Sequence, residues 1–423
     1  MKIKHIIISC LLFAADRLMA QDKPVLTLEQ CYTLASTVSP LAEQKALTIR
    51  AGNMAEKNQN LKWLPQVDLN AQATYQSAVT SFPAKLPNVT VEELSKDQYK
   101  GTLDILQPVY DGGVISTQKK LQHATTNVES QRVEVDLYQL RSKVNGYFFT
   151  ALVMEENIRV MSLVKADLDN NIKKLTAQAA NGIATNSNVD VLKAELLKTS
   201  QKIIEYNAAR KAAIQMLEIL TGTAIAESTS FVKPAGAANT DEAVSDRPEL
   251  KLFDFQKQQF QLQSKLIGAR SNPRFSFFAN GGYGKPGLNM LKNEFQWFYT
   301  GGVRLSIPIT GQFTKQRDQR VIKIQEQIVE RQKENFLNNN RQLLVQQKNE
   351  VEKYKQLVAT DAEIVALRTK IKENASFRLA NGIITSSDYI TELNAESQAM
   401  LTQKLHEIQW LQSHYNYKLI LGK

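Results

Sequence analysis

The chain has 423 residues, 43% apolar and 22% charged, and its formal net charge of +10 comes from 52 Lys+Arg against 42 Asp+Glu. That apolar fraction excludes a disordered chain. With no run of about 18 apolar residues beyond the N-terminus, a polytopic helical membrane protein is excluded as well. The basic residues are interspersed with acids along helix-like stretches, without a dense Lys/Arg run carrying aromatics, so no nucleic-acid partner is expected.

In chain order, residues 1–20 read as a secretory signal peptide: Lys2 and Lys4, an apolar run from Ile6 to Ala15, and Leu18-Met19-Ala20 before Gln21 as the cleavage site. Cleavage removes Cys10 and leaves Cys31 alone, so no intramolecular disulfide is possible. Thr27-x-x-Gln30 has the form of a capping box opening an amphipathic helix, which Ser39-Pro40 interrupts and which resumes to about Trp63. From 66 to 76 every second residue is polar, the period of a strand. A partner strand is expected at 99–107. Long helices without proline follow at about 114–180 and 184–220, separated by Asn181-Gly182. At about 1.5 Å per residue the first reaches roughly 100 Å. The small, polar stretch around Ala235-Gly236-Ala237 marks a linker over 223–246. Strands at about 274–284 and 297–307 and helices at about 315–380 and 384–421 complete the chain. Phe278 falls on the polar side of its strand and breaks the alternation.

The second half repeats the first. Pro108-Val109 returns as Pro308-Ile309, Ala180-Asn181-Gly182-Ile183 as Ala380-Asn381-Gly382-Ile383, and Thr221-Gly222 as Leu421-Gly422, each 200 residues later. The chain therefore reads as two tandem repeats, 21–222 and 247–423. Each runs helix, strand, strand, long helix, helix. Prolines 65, 108, 273 and 308 are expected at the strand–helix junctions, where a missing N–H marks the change from ladder to helix.

Strands of nine to eleven residues with one apolar and one polar face suit a transmembrane barrel with a wet lumen, although a half-buried soluble sheet alternates in the same way. The export signal and the aromatic strand ends (Tyr75, Tyr99, Tyr283, Trp297, Tyr299) favour the barrel. Four strands cannot close one, and an open edge in lipid leaves backbone groups unpaired, so identical chains must contribute in rotation.

At this point the sequence resembles the TolC-type outer-membrane efflux protein family. The residues that carry the resemblance are Ser39-Pro40-Leu41 and Arg247-Pro248-Glu249-Leu250, Trp63-Leu64-Pro65-Gln66-Val67, the run from Gly302 to Ile309, and the Gly-Ile turn in both halves. The resemblance implies a mostly α fold with a transmembrane β part. It would be a homotrimer sharing one 12-stranded β-barrel in the outer membrane and a long α-helical barrel in the periplasm. The function it implies is a passive exit duct of a tripartite efflux or secretion system, docked by a periplasmic adaptor protein and an inner-membrane pump. By the same resemblance Asn181, Gly182, Ile183, Asn381, Gly382 and Ile383 form the adaptor-docking tip. The family narrows its tunnel near that tip with acidic rings. The matching positions here are Asp388 and, in the first half, Asn188, with Asp190 two residues on and Thr391 three after Asp388, a less acidic set. Asp388 also stands where it can cap the returning helix.

Two other classes compete. An enzyme would need a catalytic constellation, but His123, His406 and His414 lack metal-ligand spacing and no glycine-rich loop has phosphate-binding spacing, so neither cofactor nor metal is expected. A periplasmic coiled-coil adaptor or structural rod would share the long helices, but it would not need four alternating segments placed in pairs.

Overall fold

In a computed structural model of the chain, residues 24–80, 93–236 and 246–423 are described. The signal peptide expected at 1–20 lies outside them, as does 237–245 of the expected linker.

The first helix begins where its capping chemistry places it. The Thr27 N–H donates to Gln30 Oε1 at 2.9 Å, and the Gln30 N–H donates to Thr27 Oγ1 at 3.2 Å. This starts α1 (Leu28–Val38), directly after the two-residue strand β1 (Val25–Leu26). Ser39 is held extended by the proline that follows it. Pro40 then occupies the first position of α2 (Pro40–Leu61), where no backbone donor is needed. Next come β2 (Gln66–Tyr75), β3 (Asp97–Tyr110), α3 (Val114–Ala180) and α4 (Asn186–Thr221). After β4 (Ser230–Phe231), the same order returns as α5 (Pro248–Arg270), β5 (Arg274–Lys285), β6 (Gln296–Ser306), α6 (Ile309–Ala380) and α7 (Ser386–Leu421).

The chain divides into two compact units. One comprises the N-terminal part to Gln44, Val133–Pro248 and Phe336–Lys423; the other comprises Lys45–Arg132 and Glu249–Asn335. The first unit is helical and holds two apolar cores. In one, Leu28 and Cys31 of α1, Phe148, Phe149 and Leu152 of α3, Ile214 and Leu217 of α4, and Ile408 of α7 pack together with Phe231. In the other, Met161 and Leu168 of α3, Val189 and Leu192 of α4, Leu379 of α6, and Tyr389 and Leu393 of α7 do the same. Expected as a linker, the stretch after α4 is pinned in its described part. β4 pairs in parallel with β1, and Lys233 reaches Glu156 at 3.0 Å and Glu407 at 3.6 Å.

The second unit carries a four-stranded sheet in the order β2-β3-β5-β6 with every neighbouring pair antiparallel. Its helical segments are tied by Lys257–Glu330 at 3.1 Å and Lys333–Asp254 at 2.7 Å. Pro65, Pro273 and Pro308 stand in the short connections between helix and strand. Pro108 does not: it lies within β3, where the register with β5 shifts between Pro108 and Tyr110. A bulge tolerates the missing donor there. The turn into α3 is instead made by Asp111-Gly112-Gly113, with the Gly113 N–H donating to Asp111 Oδ1 at 2.9 Å and the Ile115 N–H donating to Asp111 Oδ2. α6 begins at Ile309, earlier than the expected 315, because a helix can start directly behind a proline and a single Gly311 lowers its propensity without breaking it.

Candidate functional site

Directly opposed residues of an antiparallel pair share a face, so the observed register sorts every strand position. One face gathers Val67 and Leu69 of β2, Leu103 and Ile105 of β3, Phe277 and Ala279 of β5, and Val303 and Leu305 of β6. This face is bare: Leu69 is 81% and Trp297 82% exposed. Its loop end is aromatic, with Tyr283 4.9 Å from Trp297 and Phe295 stacked on Tyr283 at 5.3 Å and on Tyr99 at 6.3 Å. An apolar band bounded by aromatic rings is the surface that a lipid bilayer selects.

The opposite face is polar. Asp68, Asp104, Asn280 and Thr300 stand in one row across the four strands. Asp104 is the hub of that row, accepting from Asn70 Nδ2 at 2.6 Å, from Thr102 Oγ1 at 3.2 Å and from Asn280 Nδ2. Both outer strands, β2 and β6, keep one edge unpaired among the described residues. Among the described residues the sheet therefore exposes an apolar face, a polar face and two open edges, the kind of edge to which further strands can add.

In the helical unit, both helix turns are built alike. Gly182 and Gly382 have φ of 74° and 70°, a region that favours glycine. The Ile183 N–H donates to the Gln178 carbonyl and the Ile383 N–H to the Arg378 carbonyl, both at 2.9 Å. The Gly182 and Gly382 N–H groups donate to Ala179 and Leu379, completing a Schellman closure at each turn. Asn181 and Asn381 donate from their side chains to the carbonyls of Ala177 and Phe377. The two turns lie side by side, because Gln178 Nε2 donates to the Ala380 carbonyl at 2.8 Å. Ile183 and Ile383 both remain exposed.

The expected gate residues divide. Asp388 closes a capping box: its Oδ2 accepts from the Thr385 N–H at 3.0 Å and from Thr385 Oγ1 at 2.8 Å. Those bonds, with Arg378 nearby, hold its carboxyl below the usual carboxylate range. Asn188 takes the same position behind Thr185, donating its backbone N–H to Thr185 Oγ1 at 3.4 Å. Asp190, itself exposed, pairs with Lys193 of its own helix at 3.4 Å, and Thr391 Oγ1 donates to the Ser387 carbonyl of its own helix.

Residues missed at the sequence level bind three helices together behind these turns. Lys372 of α6 reaches Asp167 of α3 at 2.7 Å and Glu396 of α7 at 3.2 Å. Burial works against its charge, but the two carboxylates prevail and hold its pKa above the usual lysine value. Beside it, Asn171 Nδ2 donates at 2.9 Å to the hydroxyl of Tyr389, whose pKa burial pushes up to about 12. A signal was present: Lys372 stands three and seven residues before Ala375 and Leu379, and Glu396 three and seven after Leu393 and Tyr389, so both fall on core stripes.

Residues 42–223 match the model of the outer membrane efflux protein family, bearing out the resemblance carried by the motifs. No curated protein matches the sequence. Among solved structures the chain is similar to the outer membrane protein VceC from Vibrio cholerae, with a TM-score of 0.68 at 13% identity over 93% of this chain and 94% of that one. It is similar to the CmeC outer membrane channel of Campylobacter jejuni, at 0.67 and 14%, over 93% and 85%. The open MtrE outer membrane channel of Neisseria gonorrhoeae gives 0.66 and 14%, over 93% and 88%. The fold is that of these channels.

Proposed function

We propose that this chain, whose first half matches the outer membrane efflux protein family, is one subunit of an outer-membrane exit channel. The observation that carries the reading is the four-stranded sheet with a bare apolar face, a polar opposite face and two open edges. The four strands alternate in direction, so β6 of one copy and β2 of the next run in opposite senses and can pair antiparallel like the rest. Three copies then close twelve strands around a wet lumen, with the apolar face and its aromatic end in the outer membrane.

The helical unit stands in the periplasm in this reading. Its paired turns at Asn181-Gly182-Ile183 and Asn381-Gly382-Ile383 present exposed isoleucines to a periplasmic adaptor, through which an inner-membrane pump delivers cargo. In this reading the channel is a passive duct. Three copies of Asp388 around the axis would attract cations while still capping their own helices, and Asn188 and Thr391 would leave that ring less acidic than it could be. Asp190, paired with Lys193, contributes less to the axis field.

Closure is tested with single cysteines placed along β2 and β6 and oxidised in the outer-membrane fraction; Cys31 is buried and does not compete. Matched pairs should give covalent dimers and trimers. A chain that washes from the membrane with carbonate and yields no cross-link at any β2–β6 pair would instead be a periplasmic coiled-coil protein.

A further inference from the structure

Two phenylalanines stand on the polar face of the sheet, Phe278 of β5 and Phe298 of β6. Each is registered directly opposite a glycine: Phe278 faces Gly302, and Phe298 faces Gly282. A Cβ on Gly302 would lie 3.0 Å from Phe278 Cε1, and one on Gly282 would lie 2.7 Å from Phe298 Cζ. Both rings therefore lie down over the glycine instead of projecting from the wall.

Each ring is in turn covered by a cation. Arg304 Cζ sits 5.0 Å from the centroid of Phe278, and Lys100 Nζ 5.1 Å from that of Phe298. Lys100 belongs to β3 and registers with Gly284 on β5, so it reaches a ring on β6 across side-chain-free backbone. A cation within about 6 Å of a ring centroid is attracted to its face, and the aliphatic stem lies along the wall on the way. Among the described strand residues the remaining cation on this face, Arg274 at the start of β5, donates to the Arg270 carbonyl at 3.3 Å. The same arrangement, glycine below, ring between and cation above, occurs twice on one face.

We propose that Phe278 and Phe298 are positioning residues for the charge of the lumen. They fold Arg304 and Lys100 flat against the wall, away from the axis, so that the row holding Asp68 and Asp104 sets the ion preference of the duct toward cations. The proposal rests on the channel reading, and its test keeps the two apart. Phe298→Leu keeps apolar cover over Gly282 but removes the ring face, freeing the Lys100 arm. Wild-type and variant trimers are compared in planar lipid bilayers under a potassium chloride gradient.

Freeing the arm should raise the chloride-to-potassium permeability ratio about twofold or more, the scale of the ring's hold on an exposed cation. The same substitution made in a Lys100→Met background should leave the ratio of that background unchanged, and Phe298→Trp should behave as wild type. Phe278→Leu with and without Arg304→Met repeats the cycle at the second ring. A wild-type channel whose ratio does not move in the leucine variants, or moves equally without Lys100 or Arg304, overturns the proposal and leaves the channel reading intact. Loss of assembly in both leucine variants also overturns it, because the rings would then be structural. Wild-type protein that forms no conductance at all removes both.

Discussion

Leu69→Arg separates a lipid-facing sheet from a soluble one. Leu69 lies near the middle of β2, registers with Leu103 on the apolar face and is 81% exposed in the single chain. If that face were in water, an arginine there would change stability by no more than about 0.5 kcal/mol, the range for substitutions at exposed sites. If it meets hydrocarbon near the midplane, each arginine costs about 2–4 kcal/mol. In the proposed trimer, three copies without shared partners would add these penalties to roughly 6–12 kcal/mol. Asn70→Arg is the matched control one residue away on the polar face, where Asn70 donates to Asp104 at 2.6 Å and an arginine can pair with the same carboxylate. The assay is the urea midpoint of the reconstituted trimer, read by its heat-modifiable mobility. Leu69→Arg should lower the midpoint sharply or prevent insertion, while Asn70→Arg should stay near wild type. Equal midpoints for the two variants would refute the assignment of the apolar face to lipid.

Other expectations concern the helical unit. Lys372→Met strands the Glu396 carboxylate, whose side chain is only 4% exposed, while Asp167 is open enough to be rehydrated. A loss of about 3 kcal/mol follows, or roughly 6–12 °C in thermal midpoint, and adding Glu396→Gln should recover much of it. Because the pKa of Lys372 is raised in the fold, its contribution is complete at neutral pH and is lost only as pH rises above about 10.4 and through the higher folded value. His414 has the opposite sense: burial, and then Lys418, lower its pKa, so the unfolded chain binds a proton that the fold refuses. Stability should be flat above pH of about 6.5 and fall as pH drops below it, and His414→Gln should flatten that part of the denaturation profile. Gly382→Val meets no atom within 4 Å but forces a side chain to a φ of 70°, so it should cost about 1–2 kcal/mol by backbone strain alone. Gly382→Asn should cost much less in the same unfolding measurement. Asp388→Ala should leave trimers intact and raise their conductance; unchanged conductance together with unchanged block by divalent cations would reduce Asp388 to a helix cap.

The parts of the fold legible in the sequence were those governed by local chemistry. Thr27 and Gln30 announce a helix start because both partners of a capping box lie within one turn. The alternation from Gln66 onward is legible because a strand with one dry and one wet face must alternate. Two things were hidden for opposite reasons. Pro108 looks like a terminator, yet it sits in a bulge, since whether a missing donor matters depends on which neighbour strand it faces. Phe278 looks like an error of pattern because its partner, Gly302, and the cation above it, Arg304, come from the next strand. Site residues followed the same division. The turns at Gly182 and Gly382 are local, whereas Lys372, Asp167 and Glu396 come from three helices and meet only after folding.

The recurring order of elements has a physical consequence for the proposed assembly. However many strands one chain holds in an open sheet, it presents two edges, so joining two repeats doubles the strands without adding an edge to be satisfied. Twelve strands gathered from chains of a single repeat would require six chains and five association steps, each costing about 4–15 kcal/mol in lost translational and rotational freedom. In the proposed channel, chains that each hold both strand pairs need three copies and two steps. The sheet forms its β3–β5 pairing within one chain, and the closure proposed above leaves the β6-to-β2 junction to association. On this argument cutting the chain between the two halves, in the segment before Pro248, should weaken trimer formation. The measurement is the fraction of trimer recovered from the cut protein, with helix content as the control for folding of the two pieces.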